Sequence, residues 1–111
     1  PYNDPMAPYG LDKENVLALE EDNPEWEGFL SEELQIRKSQ VIWAVREEMA
    51  QTVEDVLARR TRALFLNAAE SIRLAPEVAE MMAREMNKDT AWIDRQIADY
   101  IEIAKNYVIK Y

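Results

Sequence analysis

The densest run of side chains able to bind or catalyse is Arg59-Arg60-Thr61-Arg62, reached through Thr52-Val53-Glu54-Asp55-Val56-Leu57-Ala58. Three cations in four positions can grip phosphates. With a support helix from Ser39 and a turn near Gln51, they would end the recognition helix of a freestanding helix-turn-helix regulator of DNA. DNA affinity comes largely from neutralising phosphates, however, and the chain sets 13 Lys plus Arg against 22 Asp plus Glu, a formal charge of −9. Nucleic acid is therefore not the expected partner. Two other readings stand side by side. The cations can close a helix C-terminus and pair with Glu47, Glu54 or Asp55, or they can form a docking surface, since the planar guanidinium makes directed hydrogen bonds across interfaces.

Other candidate chemistry is thin. Arg46-Glu47-Glu48 offers carboxylates, but neighbours on a helix point about 100° apart, whereas metal binding and acid–base work need convergent groups. A solvated charged face is the expectation. The chain has no His and no Cys, which excludes imidazole triads, thiol nucleophiles, disulfides, the usual zinc sites and a di-iron bundle built on Glu-x-x-His. Its two glycines, Gly10 and Gly28, are too far apart for a phosphate-cradling loop. Met81, Met82 and Met86 can line a groove, but sharing a face with Val78 they are expected in the core. Tyr100, Tyr107, Val108, Ile109 and Tyr111 form an aromatic end with too few cations, Lys105 and Lys110, for a membrane-binding face, so a buried stripe with a fraying end is expected.

Positioning these residues falls to helices. The 111 residues are 48% hydrophobic and 32% charged, enough for one compact domain and against disorder. Residues 1–37 hold two cations and ten anions, four of the five prolines and both glycines. Residues 1–38 thus read as an acidic segment of short helices within the same domain, and 39–111 as its helical core. Leu11 to Asp22 forms a helix capped by Asp12, with Val16, Leu17 and Leu19 as its apolar side, and Pro24 follows Asn23 as a first helical residue before a ridge of Trp26, Phe29 and Leu30. Ile42, Val45, Met49, Val53, Val56 and Leu57 repeat as one buried stripe, interrupted near Gln51 by a Thr52 cap.

Leu64, Phe65, Ala68, Ala69, Ile72 and Ala75 share a second helical face, with Asn67 as a possible cap. Pro76 ends that element and opens another to Met86. After Asp89 as cap, Ile93, Ile97, Tyr100, Ile101, Ala104, Tyr107 and Val108 follow one helical face over about 20 residues. No period-two alternation and no Asn-Gly or Asp-Gly turn appears, so strands are not expected. The fold class is all-α, a compact bundle of five to seven helices. No apolar run reaches the roughly 18–20 residues of a membrane span and the N-terminus has no signal layout, so export is not expected. The opening at Pro1 without Met suits an excised or a processed end.

Ala44-Val45-Arg46-Glu47-Glu48-Met49-Ala50 joined to Thr52-Val53-Glu54-Asp55-Val56-Leu57-Ala58-Arg59-Arg60-Thr61-Arg62 resembles the C-terminal helical domain of the FAD-dependent, aerobic glycerol-3-phosphate dehydrogenases. Asn67-Ala68-Ala69, Ala75-Pro76-Glu77-Val78-Ala79, Trp92 and Ala104-Lys105-Asn106-Tyr107 extend the likeness over residues 39–107, and Tyr9-Gly10 matches loosely. The resemblance implies a parent oxidoreductase that converts sn-glycerol 3-phosphate to dihydroxyacetone phosphate on FAD and passes electrons to quinone. The catalytic and cofactor residues would lie in an N-terminal flavin-binding domain, with none in this chain. The implied role is bracing that domain or a subunit contact, homo-oligomer included, through Arg46, Glu47, Thr52, Asp55, Arg59, Arg60 and Arg62. The implied location is cytoplasmic, with the membrane surface reached through the parent enzyme.

Overall fold

The structure, a computed structural model, describes residues 13–108, with side chains from Leu17 onward. The Asp12 cap, the Val16 side chain, Tyr9-Gly10 and the end at 109–111 lie outside the described residues. Helices dominate: α1 (Lys13–Asp22), α2 (Lys38–Glu47), a π-helical segment (Asp55–Arg60), α3 (Ala63–Leu66), α4 (Ala68–Met86) and α5 (Thr90–Ala104). A 3-10 turn at Pro24–Trp26 follows α1, and another at Lys105–Tyr107 follows α5. The mostly helical bundle expected from the periodicity is what forms.

Local chemistry explains most boundaries. Asn23 caps the Pro24 turn by accepting from the Glu25 N–H at 3.1 Å, with Pro at a position whose N–H has no intrahelical use. Asn67 Oδ1 accepts from the Glu70 N–H at 3.1 Å and Asp89 Oδ1 from the Trp92 N–H at 2.9 Å, opening α4 and α5. Thr52 and Asp55 form the expected cap: the Asp55 N–H donates to Thr52 Oγ1, while Asp55 Oδ2 accepts from the N–H groups of Gln51 and Thr52.

Four details differ from the sequence reading. First, β1 (Phe29–Ser31) and β2 (Ile36–Arg37) form a short antiparallel hairpin pairing Phe29 with Arg37 and Ser31 with Ile36. At three and two residues it is too short to show alternation, and its turn is built by Ser31 Oγ accepting from the Leu34 N–H rather than by an Asn-Gly pair. Gly28 enters it at φ +86°, in the left-handed region. Phe29 and Leu30 therefore lie in a strand, not on a helical ridge.

Second, α2 stops at Glu47 and Met49 takes φ +61°, which turns its side chain outward to 80% exposure instead of into the stripe. Third, α3 and α4 are separate helices broken at Asn67, whose extended backbone changes the helical phase, so Leu64, Ala68 and Ala75 are buried but Phe65 and Ala69 are not. Fourth, Pro76 lies inside α4. It sits on the solvent side, while Leu74, Ala75, Val78 and Ala79 are buried beside it and hold the helix through.

The core joins Val41 and Ala44 of α2, Val53, Val56 and Leu57, Leu74, Val78 and Met82 of α4, and Tyr100 and Ala104 of α5. The methionine expectation holds, with Met82 fully buried and Met81 and Met86 packed against the same cluster. α5 lies along α4 in the most extensive helix pairing, and the Val53 N–H donates to Gln96 Oε1 at 3.0 Å, tying the start of the π-helical region to α5.

Two substitutions test this account by thermal or urea melting. Leu74→Ala, at 1% exposure, is expected to cost about 2–5 kcal/mol through lost transfer energy and a cavity. Pro76→Ala restores an intrahelical donor and is expected to stabilise by about 1–3 kcal/mol. A loss of stability at position 76 would mean that the proline ring itself contributes packing or rigidity that alanine does not replace.

Candidate functional site

The seven expected contact residues do not form one cluster. Arg46, on α2, pairs with Glu85 of α4 and lays its guanidinium over the Trp26 ring at 4.8 Å, so it cross-braces the 3-10 turn, α2 and α4. Glu47 is exposed at the end of α2. Thr52 and Asp55 are occupied by the cap. Arg59 is 3.8 Å from Asp55 across one turn but largely exposed, an arrangement worth little by itself.

The π-helical segment carries Arg59 and Arg60, and its wide turn is visible where the Thr61 N–H reaches back to the Val56 carbonyl at 2.9 Å. The Thr61 hydroxyl donates to the same carbonyl. Arg60 donates to the Glu48 carbonyl at 3.1 Å, bridging the segment to the loop after α2. Arg62, at φ +60°, precedes α3 and places its guanidinium 6.0 Å from the Phe65 ring. In place of a recognition helix the run after Thr52 is a π-helical segment and a left-handed residue, and no contact here favours the DNA-binding reading.

Beside Arg62 lies a face whose aromatic members periodicity had placed in buried stripes; the break at Asn67 turns Phe65 outward, and α5 ends at Ala104 in a 3-10 turn that leaves Tyr107, like Ile101, exposed. Phe65 and Tyr107 meet edge to face, with centroids 5.6 Å apart and an interplanar angle of 89°, yet they are 56% and 50% exposed, and Leu66 next to them is 65% exposed. Together they make a contiguous exposed apolar patch. The larger groove, about 810 Å³ between the Pro24 turn, α2 and α4, carries both charge signs. Two of its acids are engaged, Glu77 by Lys38 at 3.9 Å and Glu85 by Arg46.

Two buried carboxylates also escaped the sequence reading. Glu20 of α1 accepts from Arg37 Nε and from Ser39 Oγ, at 2.7 and 2.6 Å. Glu70 accepts from Ser31 Oγ at 2.7 Å and from both Nε and a terminal nitrogen of Arg73 at 2.6 Å. Next to it, Ser71 accepts from the Tyr100 hydroxyl at 2.9 Å and donates to the Ala68 carbonyl. The Arg73 hydrogen bonds hold the Glu70 carboxyl down at about 2, against the opposing effect of burial and with help from the Ser31 hydroxyl. Glu20 is lowered chiefly by its hydrogen bond to Arg37, and burial raises the Tyr100 phenol. The i, i+3 spacing of Glu70 and Arg73 was a visible signal, but its Ser31 partner is 39 positions away. Both carboxylates are spent on structure: every strong donor they meet belongs to the fold.

Residues 4–93 match the family described as the C-terminal domain of alpha-glycerophosphate oxidase. The chain belongs to this family. The C-terminal domain is similar to glycerol-3-phosphate dehydrogenase 2 of Mycobacterium tuberculosis, 32% identical over 93 residues, which is 84% of this chain and 16% of that protein. It is also similar to the mitochondrial glycerol-3-phosphate dehydrogenase of Macaca fascicularis, 36% identical over 62 residues, 56% of this chain and 8% of that protein. The chain thus spans well under a fifth of the length of these relatives. No solved structure matches it. Among the described residues no helix is long and apolar enough to cross a membrane.

The Glu70 hub predicts a pH dependence. Its folded-state value of about 2 lies below the ordinary 4.5, so its stabilisation is fully present above about pH 4.5 and is lost as pH falls through about 2. Glu70→Gln is expected to cost about 1–3 kcal/mol at pH 7 in urea melts, and the difference from the parent should shrink as pH falls through that window. An undiminished difference at low pH would show that the ionised carboxylate is not the stabilising species.

Proposed function

We propose that this domain is the non-catalytic helical module of an FAD-dependent glycerol-3-phosphate dehydrogenase, and that it braces the catalytic portion of the same protein. The observation that carries this reading is the family match across residues 4–93, which covers the Arg46–Arg62 block. The parent enzyme would oxidise sn-glycerol 3-phosphate to dihydroxyacetone phosphate on FAD and deliver electrons to quinone, meeting the membrane surface through its other parts. The cytoplasmic side is the proposed location.

The described residues do not fit the flavin. A pyrophosphate cradle needs a strand turning directly into a helix N-terminus through clustered glycines, whereas Gly28 leads into an antiparallel hairpin and Gly10 lies outside the described residues. In this reading FAD would be held by the rest of the protein. Residues 1–38 belong with the remainder as one folding unit, a reading supported by the Glu20–Arg37–Ser39 tie between α1 and the start of α2. Arg59 and Arg62 are proposed as interdomain contacts, supported by their exposure. Arg46, Thr52, Asp55 and Arg60 would act through the geometry they hold, and Glu47 at the rim.

The test uses the separately expressed catalytic portion and this module, with association followed by calorimetry. Arg59→Ala plus Arg62→Ala is expected to weaken binding about tenfold or more, as for truncated interface arginines. Unchanged affinity removes these two residues from the contact. The isolated module is expected to be colourless and inactive toward glycerol 3-phosphate, and flavin retention by it would overturn the non-catalytic assignment.

A further inference from the structure

We propose that the face formed by Phe65, Leu66 and Tyr107, edged by Arg62, is the surface on which the remaining part of the same polypeptide docks. This rests on the reading of the chain as a module of a larger dehydrogenase, and it names the contact surface that reading leaves open. Four observations converge on it. The two rings form an edge-to-face pair and so present a shaped ledge rather than scattered side chains. Leu66, the neighbour of Phe65 on α3, is 65% exposed. A groove of about 420 Å³ runs along α3 and the start of α4 to Tyr107 and Val108, and its lining carries no charge. Arg62, exposed, places its guanidinium over the Phe65 ring, one cation at the edge of an apolar seat.

The size of the face selects the occupant. Three side chains at about half exposure offer on the order of 300 Å², whereas a stable complex between free partners needs about 800 Å² from each. A second copy of this chain would have to supply the difference from side chains outside this face. An anionic lipid surface calls for a run of cations, which Arg62 at the edge of an uncharged groove does not make. A domain tethered to this one is under neither limit, because linkage raises its effective concentration to about millimolar and lets a small interface hold. The docking surface on the catalytic portion is then an apolar patch bearing a carboxylate or a run of carbonyl oxygens opposite Arg62.

Hydroxyl-radical footprinting of the full-length protein tests this. Corrected for intrinsic reactivity, Phe65 and Tyr107 are expected to react several-fold more slowly than their exposure here implies, at every protein concentration and without lipid. Met49, 80% exposed and outside the groove, serves as the reference. Leu66→Asp is expected to raise both rates several-fold with an unchanged helical circular dichroism spectrum, and Leu66→Ala to raise them less. Rates in the wild type that match free exposure overturn the proposal. Protection that fades on dilution overturns it in favour of a second copy, and protection that appears only with phosphatidylserine vesicles overturns it in favour of a membrane. Glycerol 3-phosphate oxidation by the same preparation is read separately. Its absence overturns the functional reading, while the footprint still decides the docking face.

Discussion

A buried carboxylate joins the layers of this fold. Glu70 sits at the third position of α4, where the helix N-terminus favours negative charge, and its oxygens are taken by Ser31 from the hairpin and Arg73 from the next turn. One residue on, Ser71 receives the Tyr100 hydroxyl of α5. Two consecutive positions therefore fasten hairpin, long helix and last helix together. An ionised carboxylate in such a place is tolerated only when its lone pairs are filled, and the removal of any partner leaves the remainder exposed to a desolvation cost. Glu20 repeats the device between α1 and the start of α2.

This rigid frame matters because the middle of the chain is irregular. Between α2 and α4 the backbone passes through left-handed Met49, a π-helical segment and left-handed Arg62 before it reaches α3. Such conformations persist where the surroundings over-determine them, and they often accompany functional surfaces. Here the irregularity has a definite product. It turns Met49 outward, separates Arg59, Arg60 and Arg62 into different environments, and breaks the phase of α3 from α4 so that Phe65 and Leu66 face water. A continuous α-helix from Thr52 to Leu74 would have buried some of these and spread the arginines along one stripe.

The polar block is therefore best divided by what each member touches. Arg46 and Arg60 are cross-braces, Thr52 and Asp55 form a cap, and Arg59 and Arg62 remain largely open to solvent. A family match to a C-terminal domain gives meaning to that division. In the described residues the buried charge goes to rigidity, while Arg59, Arg62 and the Phe65–Tyr107 pair stay exposed.

Local spacing along the chain was enough for the helical class, the Thr52, Asn67 and Asp89 caps, Pro24 as a first helical residue, the burial of the Val53–Leu57 and Val78–Met82 stripes, and the family likeness in Ala44 to Arg62. These depend on interactions within about four residues or on periodicity along one element, which spacing records directly. The hairpin, the unbroken course of α4 through Pro76, the outward turn of Met49 and the Glu70 and Glu20 hubs were decided only in tertiary structure. Each depends on partners far apart in the chain or on packing that overrides a local preference: Ser31 reaches across 39 positions to Glu70, and buried neighbours hold Pro76 inside a helix it would otherwise end.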